Sequence, residues 1–221
     1  MARISLKFGA LNLWPDALGF LESSALDPPF QERVAMVFEQ GSTHPEYAGS
    51  APVIELIPEL GYTDLTQQAG DIGKPVERVQ LNATLESLLG KQSGEDGPVP
   101  SVGIIFTTQD AYKYLFGLMF DQGEFGAHLP AREGAAVYLD EIHNFRSTEI
   151  EEQILFTTVH ELGHVFHLQH NDVSASFMRR SHKTGTYPAR YFKFTRRQND
   201  QLRKCDTDPE VWPGGSPWRY S

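Results

Sequence analysis

Cysteine is almost missing from this chain. Cys205 is the only one in 221 residues, so no intrachain disulfide can form, and the fold must rest on its core. Long apolar runs are missing too. The longest, Tyr114 to Phe120, is far shorter than the roughly 20 residues a membrane-spanning helix needs. The start, Met1 to Trp14, is interrupted by Arg3, Lys7 and Asn12; it reads as a strand and not as a secretion signal. Positive charge is in short supply, with 19 Lys and Arg against 29 Asp and Glu, a net charge of −10. That argues against nonspecific nucleic-acid binding. The chain holds no internal repeat and no low-complexity tract. These absences lead us to expect a cytoplasmic protein with neither nucleic acid nor membrane as a partner.

What is present is an ordinary globular composition, 40% hydrophobic and 22% charged, enough for one real core. One domain over 1–221 is the simplest division. Charge is unevenly spread: residues 179–204 hold nine Lys or Arg and one acid, Asp200. Two readings stay open. This basic segment packs on an acidic body, or some of its arginines line a pocket and select acidic groups or a terminal carboxylate.

Periodicity sketches the elements. Ile4 to Leu13 alternates as a first strand, with Ile4, Leu6 and Phe8 on one face. Gln31 to Gln40 fits a short helix carrying Val34, Val37 and Phe38 on one side. Val53 to Leu60 reads as a strand despite Pro58. Val76 to Lys91 has a helical period with Val79, Ala83, Leu85, Leu88 and Leu89 apolar. Val102 to Thr108, short and β-branched, fits a central strand. Asp110 opens a short helical or looped stretch through Tyr112, Tyr114, Leu115 and Phe116, and Ala135 to Ile142 is a further strand candidate.

The chemistry concentrates in His160-Glu161-Leu162-Gly163-His164-Val165-Phe166-His167-Leu168-Gln169-His170. It opens with H-E-x-x-H. A helix places residues four apart on one face, one turn up, so His160 and His164 can grip one zinc ion. Glu161 can reach a zinc-bound water as general base. His170 becomes a third ligand only if the helix ends near residue 167 and the chain turns back. Three protein ligands and a water is the arrangement of a catalytic zinc. Thr148-x-x-Glu151 fits a capping box at the start of this helix, and Glu149, Glu151 and Glu152 suit its positive end. Leu155, Val159, Leu162 and Phe166 form a stripe that would pack on the sheet, while the histidines project from another side. Gly163 in mid-helix hints at close packing there. His44, His128, His143 and His182 lack metal-ligand spacing.

The pattern H-E-x-x-H-x-x-x-x-x-H resembles the zinc signature of the metzincin metallopeptidases, with His167 where that signature has Gly. Met178 stands eight residues after His170. This frame resembles the archaemetzincin branch, whose two cysteines fall at Asn171 and Ser176 here. The stretches Arg78-x-Gln80-x-Asn82-Ala83 and Val102-Gly103-Ile104-Ile105-x-Thr107-x-x-Asp110-x-Tyr112 are similar to archaemetzincin segments as well; the likeness runs patchily from about residue 76 to 200.

The resemblance implies an α/β (α+β) fold. It would have a twisted, mixed sheet with an antiparallel edge strand, a zinc helix at a cleft, and a small C-terminal subdomain. The N-terminal part would be 1–170 and the C-terminal part 171–221, with Met178 in a Met-turn beneath the metal. Ala135, Ala136, Val137 and Tyr138 would belong to the edge strand, able to hold a peptide by strand addition. With the cysteine positions changed, one zinc ion is expected and not two. At His167 a Gly would suit a left-handed backbone, which His enters at a steric cost.

The expected activity is that of a zinc metalloendopeptidase or aminopeptidase-like hydrolase acting on a peptide or protein substrate. His160, His164 and His170 would hold the metal and Glu161 would be the base. Arg179 and Arg180 follow Met178, which leaves Tyr187 as a candidate for assisting. The alternative is a metal-bearing binding protein with little or no peptidase activity. The Pro/Gly-rich tail, Trp212 to Trp218, suggests either a segment lying across the cleft or a loosely ordered end.

Overall fold

A computed structural model of the chain describes residues 2–13, 19, 21, 27–43, 54–65, 78–90, 100–108, 115–120, 132–145, 150–173, 175–180, 188–205, 207–208 and 210–213. Among these residues six strands form one sheet: β1 (Ala2–Leu11), β2 (Ile54–Pro58), β3 (Thr63–Asp64), β4 (Ser101–Thr107), β5 (Gly117–Met119) and β6 (Gly134–Tyr138). The helices are α1 (Phe30–Gly41), α2 (Arg78–Leu89), α3 (Leu139–Phe145), α4 (Ile150–Val165) and α5 (Arg196–Leu202), with a 3-10 turn at Ala189–Tyr191.

The sheet order is β2-β1-β4-β6-β5, and β3 pairs with β1 beyond the end of β2. All pairs are parallel except β5 with β6. β4 takes the centre, as its apolar β-branched run predicts for a strand buried on both faces. Strand alternation sends Ile104, Phe106, Ala135 and Val137 to one face, against α1 and α4. Ile105, Ala136 and Tyr138 go to the other, against Leu81, Leu85, Leu88 and Leu89 of α2. Gly103 and Gly134 carry no side chain beneath Leu85, where a Cβ would collide with it, so α2 lies close on the sheet. The first core continues past residue 170: Phe177, Met178, Phe192, Phe194, Leu202 and Val211 belong to it. Phe156 and Phe192 meet edge to face at 4.7 Å, locking the C-terminal segment onto α4. None of the described helices is long and apolar enough to cross a membrane.

Three expectations need correction. Ala135, Ala136, Val137 and Tyr138 are not the edge: β6 lies between β4 and β5, and all four are fully buried. The antiparallel edge strand is Gly117–Met119. A run that is apolar on both faces is what an interior strand requires. The strand expected to reach Ile142 stops at Tyr138, where Leu139 begins α3. On α2 the buried position is Leu81, while Ala83 faces solvent, because the apolar stripe runs 81, 85, 88. Asp110, Tyr112, Tyr114, Thr148, Glu149 and Tyr187 fall outside the described residues.

Candidate metal centre

Helix α4 is the platform. Every residue from Gln153 to Val165 is buried, and Leu155, Val159, Leu162 and Phe166 lie in the core as the stripe predicts. Burying side chains of this size contributes roughly 1.5–3 kcal/mol each. Glu151 and Glu152 in the first turn pair with Arg33 of α1, and Glu152 Oε2 also accepts the Ala189 N–H at 2.6 Å. Two carboxylates thus sit at the positive end of the helix dipole and tie that end to its neighbours.

The far end of α4 stops abruptly. His167 adopts a left-handed φ of 62°. Its N–H bonds to His164 O at 2.8 Å, and the Leu168 N–H reaches back to Gly163 O at 2.9 Å. This pair of bonds is a Schellman ending, which usually takes Gly at the left-handed position. His occupies it here, held by Nδ1 to Glu210 O at 2.7 Å and by Gln201 Nε2 on its carbonyl at 2.8 Å. The reversal brings His170 back to the helix, as the three-ligand reading requires.

The Nε2 atoms of His160, His164 and His170 stand 3.0–3.1 Å from one another. His160 Nδ1 faces Phe177 O at 2.6 Å, and His164 Nδ1 faces Leu168 O at 2.8 Å. A carbonyl only accepts, so both Nδ1 atoms carry the proton and both Nε2 atoms present lone pairs. The two lone pairs of His160 and His164, 3.1 Å apart, cannot satisfy one another; a cation shared with His170 Nε2 would. A tetrahedral zinc with nitrogens at ~2.0–2.1 Å would space its ligands by about 3.3 Å, so the donor set fits zinc with little adjustment. These three form a metal-competent histidine group, two members buried and His170 exposed, which leaves an open side.

Burial, opposed by the bond to Phe177 O, brings His160 down to about 4. His164 is driven well below the ordinary histidine range by burial and then by the neighbouring histidines. Burial and then Arg180 lower His170, against the pull of Asp172. All three are therefore neutral near pH 7, the form in which imidazole binds a metal.

Glu161 is buried beside the edge strand. The strand's hydrogen bonds to β6 run from residues 116 and 120, so the N–H groups of Gly117 and Met119 point outward. The Met119 N–H bonds to the Glu161 carboxylate, yet burial still pushes that carboxyl up to about 8. A cation among the adjacent histidines would draw it back down. A Cβ at Gly117 would lie 2.6 Å from both Cγ and Oε1 of Glu161. Gly117 thus gives the carboxylate its place, and sequence reasoning missed it.

Met178 is fully buried, and a methyl group at Gly163 would overlap its sulfur. The close packing expected at Gly163 is thereby explained. Asn171 and Ser176 hydrogen-bond to each other, Nδ2 to Oγ at 3.0 Å. His143 is exposed on α3, outside the histidine group, and His44, His128 and His182 lie beyond the described residues. A polar groove of about 510 Å³ opens beside His170, lined among others by Arg197, Asp200, Lys204 and Glu210. Its walls carry both signs of charge.

Fold and site together place a three-histidine group that could hold a metal ion on a mixed α/β sheet. No protein-family model matches the chain, and no curated protein matches it in sequence. Among solved structures it is similar to a zinc-dependent peptidase from Methanocorpusculum labreanum (strain Z). The TM-score is 0.53 and the identity 15%, over 90% of this chain and 99% of that one. An archaemetzincin from Methanopyrus kandleri aligns at a TM-score of 0.48 and 17% identity, over 92% of this chain and 94% of that one. The first likeness establishes a shared fold.

Proposed function

We propose that this chain is an archaemetzincin-like zinc metallopeptidase with one zinc ion held by His160, His164 and His170. The observation that carries the reading is the convergence of three Nε2 atoms at 3.0–3.1 Å beside a buried Glu161. A zinc ion there would lower the pKa of a bound water and polarise the scissile carbonyl. Glu161 is the general base: its carboxylate takes the proton of the attacking water and delivers it to the leaving amine. The outward N–H of Gly117 and the outward C=O groups of Gly117 and Met119 are the hydrogen-bonding edge for an extended peptide, in place of Ala135 to Tyr138; the Met119 N–H is taken by Glu161. Met178 supports α4 from below through its contact with Gly163.

The test compares wild type with Glu161→Gln for zinc content and for hydrolysis of a diverse peptide mixture. The variant is expected to keep its zinc and lose turnover by roughly 10²–10⁴-fold. Full activity in the variant would remove Glu161 from the mechanism. A wild type that binds zinc and cleaves nothing would favour a metal-bearing binding protein.

A further inference from the structure

Three successive carbonyls in the loop between the second and third histidines each receive a side-chain N–H. Gln201 Nε2 donates to His167 O at 2.8 Å, His164 Nδ1 to Leu168 O at 2.8 Å, and Gln198 Nε2 to Gln169 O at 3.2 Å. The outer two donors both come from α5, three residues apart and therefore on one face. They clamp the loop on either side of the Leu168 carbonyl that orients His164, and Gln198 grips the residue just before His170.

Gln198 is also linked to the loop that carries the other orienting carbonyl, through Ser176. It is buried, and its Oε1 accepts from the Thr195 N–H at 2.9 Å and from Ser176 Oγ at 3.3 Å. Ser176 Oγ in turn accepts from Asn171 Nδ2 at 3.0 Å and from the Met178 N–H at 3.1 Å. With one donated and two accepted bonds that hydroxyl is saturated. Between Ser176 and Met178 lies Phe177, whose carbonyl holds His160 Nδ1. One amide therefore joins the two loops that set the ring orientations of His160 and His164.

We propose that Gln198 and Gln201 are positioning residues of the metal centre, through which α5 sets metal affinity without touching the metal. The proposal rests on the reading that the three histidines hold zinc. Carbonyl partners of ligating histidines fix tautomer and ring orientation, and disturbing such partners typically weakens metal binding 10–100-fold. Here the glutamines hold the residues that flank those carbonyls: His167 and Gln169 on either side of Leu168, and Ser176 beside Phe177.

The experiment uses the full chain as Gln198→Met and Gln201→Met, which keep length and remove the amide. Leu88→Ala, in the core on the opposite face of the sheet, is the control for lost stability. Zinc affinity is read by competition with a chromogenic chelator, ligand geometry by the visible spectrum of the cobalt-substituted protein, and fold stability by thermal unfolding of the metal-free protein. Each Met variant is expected to raise the zinc Kd about tenfold and to alter the cobalt bands. Leu88→Ala should lower the unfolding midpoint at least as far, with zinc Kd and spectrum unchanged. Zinc binding within about twofold of wild type in the Met variants would overturn the proposal, as would equal weakening in Leu88→Ala. If Gln198→Met does not fold, Gln201→Met decides alone. A wild type that binds no zinc would instead overturn the metal centre.

Discussion

The Met119 backbone N–H donates to the Glu161 carboxylate, so the outermost strand of the sheet is tied to the proposed base. The tie depends on a residue without a side chain two positions earlier. Gly117→Ala would place a methyl 2.6 Å from Glu161 Cγ and Oε1. The carboxylate must then shift by a substantial fraction of an ångström. We expect kcat to fall by about 10–10²-fold with zinc content unchanged, since ångström-scale misplacement of a reacting group carries that penalty. Steady-state kinetics beside metal analysis checks this; an unchanged kcat would show that Glu161 has room to spare.

Gly163 and Met178 make a second fitted pair. Gly163→Ala overpacks the helix against the Met178 sulfur and should destabilise the fold by about 1–3 kcal/mol, although Ala favours a helix more than Gly does. Met178→Ala alone opens a cavity. The double variant should be more stable than the sum of the two predicts, a coupling that thermal unfolding of all four proteins measures directly. Simple additivity would mean the two residues do not press on each other.

The metal-free protein should respond to acid through His160. Its folded pKa of about 4 lies below the ordinary 6.5, so the neutral form is favoured by folding. A depressed folded pKa contributes stability that is present above the unfolded value and lost as pH falls. We therefore expect this contribution to be full above about pH 6.5 and to decay towards pH 4. His160→Gln should flatten the stability profile within that window. Added zinc should stabilise wild type less as pH drops through the same range, because protons compete for the ligand nitrogens. Unfolding midpoints measured with and without zinc across these pH values provide the check.

At His167 the backbone conformation and the side chain pull in opposite directions. Glycine relieves the left-handed strain but removes the bond from Nδ1 to Glu210 O; alanine removes the bond and keeps the strain. His167→Gly is therefore expected to be more stable than His167→Ala by about 1 kcal/mol. The reverse order in urea unfolding would place the left-handed turn elsewhere.

The convergence of the three histidines was legible because it is local. Spacing four apart on a helix fixes His160 and His164, and one turn at residue 167 decides His170. The edge strand was not legible in this way. Ala135 to Tyr138 and Gly117 to Met119 are both short, and which lies outermost is settled by pairing between distant segments. The continuation into α3 was hidden too, since Leu139 and Ile142 suit a strand as well as a helix. Gln198 and Gln201 carry no motif or spacing that singles them out. Nothing nearby in the chain says that their face turns towards the carbonyls of the loop at 167–169.

The Schellman ending at His167 bears on how the site is assembled in time. All three proposed metal ligands fall within eleven residues, so closing that loop costs little chain entropy. The strand that holds Glu161 comes from residues 117–119, across a far longer stretch of chain and through sheet pairing. Contacts of low sequence separation form sooner than non-local strand pairs. A folding chain can therefore gather its proposed metal ligands before the proposed base has its strand, so metal capture would precede catalytic competence.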